Sequence, residues 1–370
     1  MGNIDMNREN PTQQSATATS PKQRYSNLEL YRIIVMLLIV AHHYVVNSGL
    51  MDELFHDALS GRSLFFYVFG MWGKTGINCF VLITGYFMCK SHITLRKFMK
   101  LLLQIEFYNV AINAAFAVTG YHHFDVKEAV LALLPVRSIA DGFTSCFLVF
   151  YLFIPFLNVL VSHLDRRQHA LLVALCLFTY TLMGTFNCLH VTMNYVSWFC
   201  VLYFIASYIR IYGFLPKLST AKWGGITCVS ILVSVLSVLR LVVIADRIGA
   251  DHYNVYRYVA DSNVLFAVTT SVSSFMFFKG LRMGYHRWIN TIAASTFGVL
   301  LIHANSDIMR HWLWRDVVDC VGSLYRPHAC LYAIAAVLLI FAICAAVDYV
   351  RGHTVEKWIL ARLPINKTIK

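Results

Sequence analysis

The chain has 370 residues, 58% of them hydrophobic and 14% charged, with a mean hydropathy of +0.60. Soluble domains carry about 25% charge, so this balance excludes a soluble enzyme and leaves no polar stretch long enough for a separate soluble domain. The net charge of +12 could suit a nucleic-acid binder, but in a polytopic membrane protein it follows from orientation, and the loop charges favour that explanation.

Residues 1–24 are polar, rich in Ser, Thr, Gln and Asn, with Pro11 and Pro21, and are expected to form a disordered cytoplasmic tail. The first apolar run starts late and has no small-residue cleavage site, so it is expected to remain as a signal anchor. Crossing a bilayer takes about 20 mostly apolar residues. Ten runs meet that need: 28–47, 65–89, 98–118, 142–162, 169–189, 195–213, 224–245, 262–280, 289–308 and 329–350. The stretch 126–140, with Lys127, Glu128 and Pro135, is too short and polar to cross and is expected to lie as an amphipathic piece in a loop. Residues 353–370 read as a basic cytoplasmic tail.

The expected fold is therefore an all-α polytopic membrane protein of about ten transmembrane helices. Counting span-end residues with the adjoining loop, twenty Lys and Arg fall in the two tails and the loops of one face, and eight in the opposite loops. Arg32, Lys74 and Arg240 lie within spans. Basic loops stay in the cytoplasm, which places both termini there. The opposite loops hold most of the acids, including Asp52, Glu53, Asp246, Asp251, Asp316 and Asp319.

The ten cysteines show no metal-ligand spacing, and no metal is expected. Cys79, Cys146, Cys176, Cys200, Cys228 and Cys344 fall in apolar runs as small hydrophobes. Cys320 and Cys330 flank one outer loop, where a disulfide is open to them.

Arg32 and His43 are the most informative pair. At ~100° per residue, eleven steps return to within about 20° of the same helix face, and at ~1.5 Å per residue the two lie roughly 16 Å apart along the axis. Ionisable groups at such depth read as a functional site. The bland alternative is a snorkelling arginine and a histidine that joins helices. His42 points to a different face. Glu29, one turn before Arg32, is expected to hold its guanidinium. Lys74 and Asn78 in the second span are candidates to line a polar cavity. Glu106 and Asn109 share a face of the third span and could pair with Lys74 or Arg32. His303, with Asn305 and Asp307, sits near the outer end of the ninth span, to touch a substrate or to anchor at the interface. Thr84 reads as packing beside Gly85, and Trp198, Trp288, Trp312 and Trp314 as interfacial belt residues.

The stretch "RYSNLELYRIIVMLLIVAHHYVVNSG" resembles the opening helix of the membrane-bound acyltransferase 3 family, in which an arginine or lysine, ten residues and a histidine follow in order; here these are Arg32 and His43. "GKTGINCFVLITGYFM" resembles its second-span pattern, "TLRKFMK" the basic opening of its third span, and "STFGVLLIH" a late-span pattern ending at His303. "FYLFIPFLN" is similar to the fourth span of Gram-positive members. The resemblance runs from residue 24 to 303 in the usual order and implies an acyltransferase domain over 25–352. Glu29 stands where aspartate is common, Thr84 replaces serine, and Lys97 and Lys100 replace arginines, which removes the bidentate guanidinium fork there.

The resemblance implies transfer of an acyl group, usually acetyl, from cytoplasmic acyl-CoA to a hydroxyl of an extracytoplasmic or lipid-linked glycan, in a bacterial plasma membrane. Acyl-CoA is then a donor substrate rather than a permanently bound cofactor. Membrane lipid and a glycan acceptor are the other partners, and nucleic acid is not one. The phosphates of the donor need fixed positive charge, for which Arg32, Arg96, Lys97 and Lys100 are the candidates. A histidine suits proton removal from a sugar hydroxyl near pH 7. His43, Arg32 and Glu29 are thus the catalytic candidates, with His43 as general base or as acyl-carrying nucleophile. Lys74, Asn78 and His303 are candidates for substrate binding. The competing classes are a transporter or flippase and a polytopic sensor or scaffold. Against the former, no inverted repeat or pair of broken helices is visible.

Overall fold

The computed structural model describes residues 25–123, 126–136, 142–186, 194–215, 217–250 and 254–362; the expected tail 1–24 and the end of the basic tail lie outside them. Among the described residues there are helices and no strand. α1 (Ser26–Val46) runs from what we term the proximal end of the bundle to the distal end. There the short α2 (Leu50–Leu54) turns the chain into α3 (Gly61–Gly70) and α4 (Gly73–Met88), which return. α5 (Leu95–Thr119), a short α6 (Val126–Ala132), and α7 (Phe143–His163) follow. α8 (Arg166–Cys176) continues through a π-helical turn, Leu177–Met183, into α9 (Gly184–Phe186). Next come α10 (Tyr195–Tyr212), α11 (Thr220–Ile248) and α12 (Leu265–Gly280). α13 (Arg287–Ala294) and α14 (Thr296–His303) lead to α15 (Asp307–His311), a second π-helical turn (Trp312–Val317) and α16 (Cys320–Leu324). α17 (Ala329–His353) and α18 (Val355–Arg362), the latter in the expected basic tail, close the described chain.

Eight of these helices or joined helices are long and apolar enough to cross a membrane, and nine if the bent pair 287–303 and 307–317 is one crossing. Two expected spans look different from straight helices. The run 262–280 is the 16-residue α12. Its start is set by another helix, because the Thr185 hydroxyl accepts from the Leu265 N–H at 2.9 Å and Asn263 donates to the Tyr180 carbonyl at 2.8 Å. The run 289–308 breaks at Ser295, and after His303 the chain turns by 95°. Ser306 takes the Met309 N–H on its hydroxyl and so starts a new helix where apolarity alone would continue the old one.

α1 lies at the centre, in contact with α3, α4, α12, α13, α14 and α17. Its approach to α3 and α4 depends on three glycines at every third position. A Cβ at Gly73 would fall 2.2 Å from the His42 ring, one at Gly70 2.6 Å from Val45, and one at Gly76 2.8 Å from Ile39. Small residues allow such contact between membrane helices, where dispersion rather than water exclusion drives packing. At the proximal end Asn27 Nδ2 lies 3.0–3.1 Å from the carbonyls of Phe278, Lys279 and Leu281, at the end of α12. The Ser26 hydroxyl accepts from the His286 N–H and from Asn290. The first turn of α1 is thereby fixed to α12 and α13.

Two belt assignments are corrected. Trp198 and Trp314 are fully buried. Trp198 Nε1 donates to Asn78 Oδ1 at 2.9 Å, and Trp314 packs edge-on to Tyr44 and His303. Trp288 is 62% exposed, as a surface residue should be. Cys320 and Cys330 are both free thiols. Cys320 is buried beside Tyr44 and Ser48, and burial pushes its thiol up to about 12.

Candidate active site

The adjacent histidines of α1 have different surroundings. The His42 ring fills the slot left by Gly73, and its Nδ1 donates to the Gly70 carbonyl at 2.6 Å. His42 thus joins α1 to the α3–α4 turn. His43, about 100° round the helix, faces α14, where its Nδ1 lies 3.0 Å from Nε2 of His303. His303 is fully buried and its Nδ1 is 2.6 Å from the Val299 carbonyl, one turn earlier on α14.

These contacts fix the proton positions of a neutral pair. A carbonyl only accepts, so His303 carries its hydrogen on Nδ1 and presents a lone pair at Nε2. His43 must then donate from Nδ1, which leaves the lone pair of His43 on Nε2. The order is carbonyl, imidazole, imidazole, free basic nitrogen. An imidazole held by a neighbour in one tautomer is the arrangement a general base or nucleophile needs. Trp314 closes over His303 with ring centres 6.2 Å apart. Arg310, beyond the turn that follows His303, is ion-paired with Asp307.

The other expected residues have separate surroundings. Arg32 Nε lies 3.4 Å from Glu29 Oε2, and its guanidinium carbon sits 5.6 Å from the centre of the Phe80 ring, so α1 and α4 hold it together. Lys74 donates to the Tyr195 hydroxyl and covers that ring at 5.1 Å, on the α10 side of α4. Asn78 is fully buried and engaged on both sides, donating to the Ser262 carbonyl at 2.6 Å and accepting from Trp198. It joins helices rather than lining a cavity. Thr84 bonds back to the Phe80 carbonyl at 3.0 Å within its own helix. Asn109 accepts from Asn305 at 3.2 Å, linking α5 to the turn after His303.

The basic group at the start of α5 does not act as one. Arg96 is exposed, Lys97 is spent on the Ser91 hydroxyl and His92 carbonyl, and Lys100 is 2.7 Å from Glu356 of α18. Lys100 alone reaches a polar cavity of about 370 Å³ at the proximal end, whose wall also holds Arg287, Arg351 and His353. Part of that wall is a buried network. Asp348 accepts from Gln104 at 3.0 Å, Tyr108 at 2.9 Å and Arg351 at 2.9 Å, and Arg351 also donates to Glu356 at 2.9 Å. Asp348 fits because α14 offers Gly298 there; a Cβ at that position would lie 2.1 Å from its carboxyl carbon. Arg287, Asp348, Arg351 and Glu356 were not among the candidates from sequence. The available signal was Asp348 and Arg351, three residues apart at the end of an apolar helix.

Ser295 on the cavity wall precedes His303 by eight residues, roughly 12 Å along a helix. The Arg-bearing cavity and the histidine pair thus lie along the same helix pair, α13 and α14. A family model described as an acyltransferase domain matches residues 25–346. Neither the curated proteins nor the solved structures give a match.

Proposed function

The chain belongs to the acyltransferase 3 family, and from that premise we propose that this membrane acyltransferase carries an acyl group, acetyl as the simplest case, from cytoplasmic acyl-CoA to a hydroxyl of an extracytoplasmic or lipid-linked glycan. The observation that carries the reading is the hydrogen-bonded series Val299, His303, His43, which ends in a basic nitrogen inside the bundle. In this reading His43 Nε2 takes the proton of the acceptor hydroxyl as that oxygen attacks the thioester carbonyl. The proton then passes to the departing thiolate.

The donor phosphates belong at the proximal cavity, where Arg287 stands beside the Lys100–Glu356 and Arg351–Asp348 pairs and Arg32 lies deeper on α1. The basic-residue count makes that end cytoplasmic. A thioester held from there reaches toward His43 from below, and the acceptor meets it from the distal side in a bacterial plasma membrane. Acyl-CoA is a substrate in this scheme, and no resident cofactor is needed.

Purified protein in sealed vesicles, given acyl-labelled acetyl-CoA and a glycan acceptor, tests the proposal. The label is expected on the glycan, or slowly in water, and only with the basic proximal end facing the donor. A thioester that stays intact with every acceptor offered overturns it. Reporter fusions after residues 94, 166, 219 and 284 should locate to the cytoplasm, and those after 56, 130 and 318 outside; a cytoplasmic reporter at 130 overturns the orientation. Glycan analysis of a deletion strain names acceptor and acyl group together, as one missing ester.

A further inference from the structure

A second cavity lies away from the histidine pair, between α8 and α10, with Val272 of α12 also in its wall. It encloses about 400 Å³, within the usual range for ligand pockets. Its wall is apolar, including Val173, Ala174 and Ile209, and no carboxylate contributes to it. The exceptions are placed at one end or on the side. Arg166, the first residue of α8, is at the proximal end, where α7 has just closed at His163, and Tyr208 is on α10.

The groove is preformed. His169, fully buried, bonds the Phe204 carbonyl at 3.0 Å, and the Tyr212 hydroxyl donates to the Leu164 carbonyl at 3.0 Å. These ties hold α8 and α10 apart at a set distance, so the groove does not depend on its occupant to form. The lip is made by Gly213 at φ +73° and Leu215 at φ +41°. The second is an unusual conformation for a residue with a side chain, and it leaves Leu215 53% exposed beside the opening. An exposed leucine in a strained loop, next to a concave apolar surface, is a poor arrangement for water and a suitable one for a hydrocarbon chain.

We propose that this groove binds one anionic phospholipid, with an acyl chain along α8 and α10 and its phosphate on Arg166. The polarity gradient specifies the occupant. A cation at the interfacial end and an unbroken apolar wall below it match an amphiphile with a negative head. They do not match a soluble anion, for which one exposed arginine is too little, nor a zwitterionic lipid, for which the lining offers no carboxylate, Asp165 being turned to the backbone N–H groups of Arg167 and Gln168. The site is independent of the acyl-transfer reading, since none of its lining residues belongs to α1, α13 or α14.

Native mass spectrometry of the detergent-solubilised full chain tests the assignment, using phosphatidylglycerol and phosphatidylcholine of the same chain length, each added alone and in competition. The wild type should retain one phosphatidylglycerol and prefer it by about fivefold, the ratio expected for one basic residue near a membrane surface. Arg166→Gln should bring the two lipids to parity while leaving the elution profile of the protein unchanged. Arg167→Gln should keep the preference, because that neighbour does not line the groove. Ala174→Trp should remove the retained lipid of either kind. Equal retention of both lipids by the wild type overturns the proposal, as does an Arg166→Gln variant with wild-type preference. Displacement of phosphatidylglycerol by an equimolar polyprenyl phosphate would instead make the groove a carrier-lipid site and overturn the phospholipid assignment.

Discussion

Two polar networks lie inside this apolar bundle, and they differ in how they end. At the proximal end, the Asp348 carboxylate accepts three hydrogen bonds, and Arg351 is shared between Asp348 and Glu356, with Lys100 on the other oxygen of Glu356. Each charge there meets its opposite, and the result joins α5, α17 and α18. In the middle of the bundle, the series from Val299 through His303 to His43 satisfies each donor and stops at a nitrogen with its lone pair free. A closed network resists change because breaking it leaves a buried charge alone. An open one costs little to hold and keeps one group available for reaction. The first is expected to govern stability, and the second chemistry.

The largest effect should come from the open end. His43→Ala is expected to lower acyl transfer by about 10²- to 10⁴-fold, the usual cost of losing a general base, with membrane insertion and thermal unfolding nearly unchanged. His42→Ala should retain most transfer and lose stability instead, since its ring fills the Gly73 slot. The reverse pattern in an acetyl-CoA assay would exchange the roles of the two histidines.

Next is the closed network. Arg351→Ala removes the partner of Asp348, and breaking a buried pair costs roughly 3–5 kcal/mol. Unfolding should shift strongly in thermal melts of the detergent-solubilised protein, whereas paired Asp348→Asn with Arg351→Met should recover part of it. If the single variant melts like wild type but transfers nothing, this network belongs with the chemistry and the contrast fails.

His303→Ala should come third. It leaves His43 without the partner that fixes its tautomer, and losses of an orienting group run at about 10- to 100-fold. His303→Gln, which keeps an acceptor near His43 Nδ1, should recover more than His303→Ala. A smaller effect still is expected in donor binding. Arg32→Ala should weaken acetyl-CoA binding, and Arg32→Lys should recover only part, because the fork is gone. Arg96→Gln should stay within about 0.5 kcal/mol of wild type, as exposed substitutions do. An Arg96 variant that loses donor binding as fully as the Arg32 variant would move the phosphates to the start of α5.

Hydropathy made most of the helices legible, since a membrane crossing has to be a long apolar run. It did not show where the long runs stop. α12 begins where Thr185 caps it, and the turn after His303 begins where Ser306 caps α15; neither leaves a trace in apolarity. The register of Arg32 and His43 was readable because both lie on one helix. The contact between His43 and His303 was not, since it closes across 260 residues. Lys100 shows the same limit: its charge was evident, but Glu356, the group that holds it, lies on the last described helix. Trp198 and Trp314 resembled belt residues because an indole at the end of a span looks the same from sequence whether it faces a headgroup or an asparagine.

Glu356 has a practical side. It reaches Lys100 and Arg351 only while α18 stays folded against α5, so anything that pulls on that helix also pulls on the wall of the proximal cavity. An affinity tag or fluorescent partner fused directly after residue 362 loads this contact, whereas one placed ahead of residue 25 loads the first turn of α1, which Ser26 ties to His286 and Asn290. Preparations that differ only in which terminus carries the tag should therefore be compared before any loss of donor affinity is ascribed to a substitution.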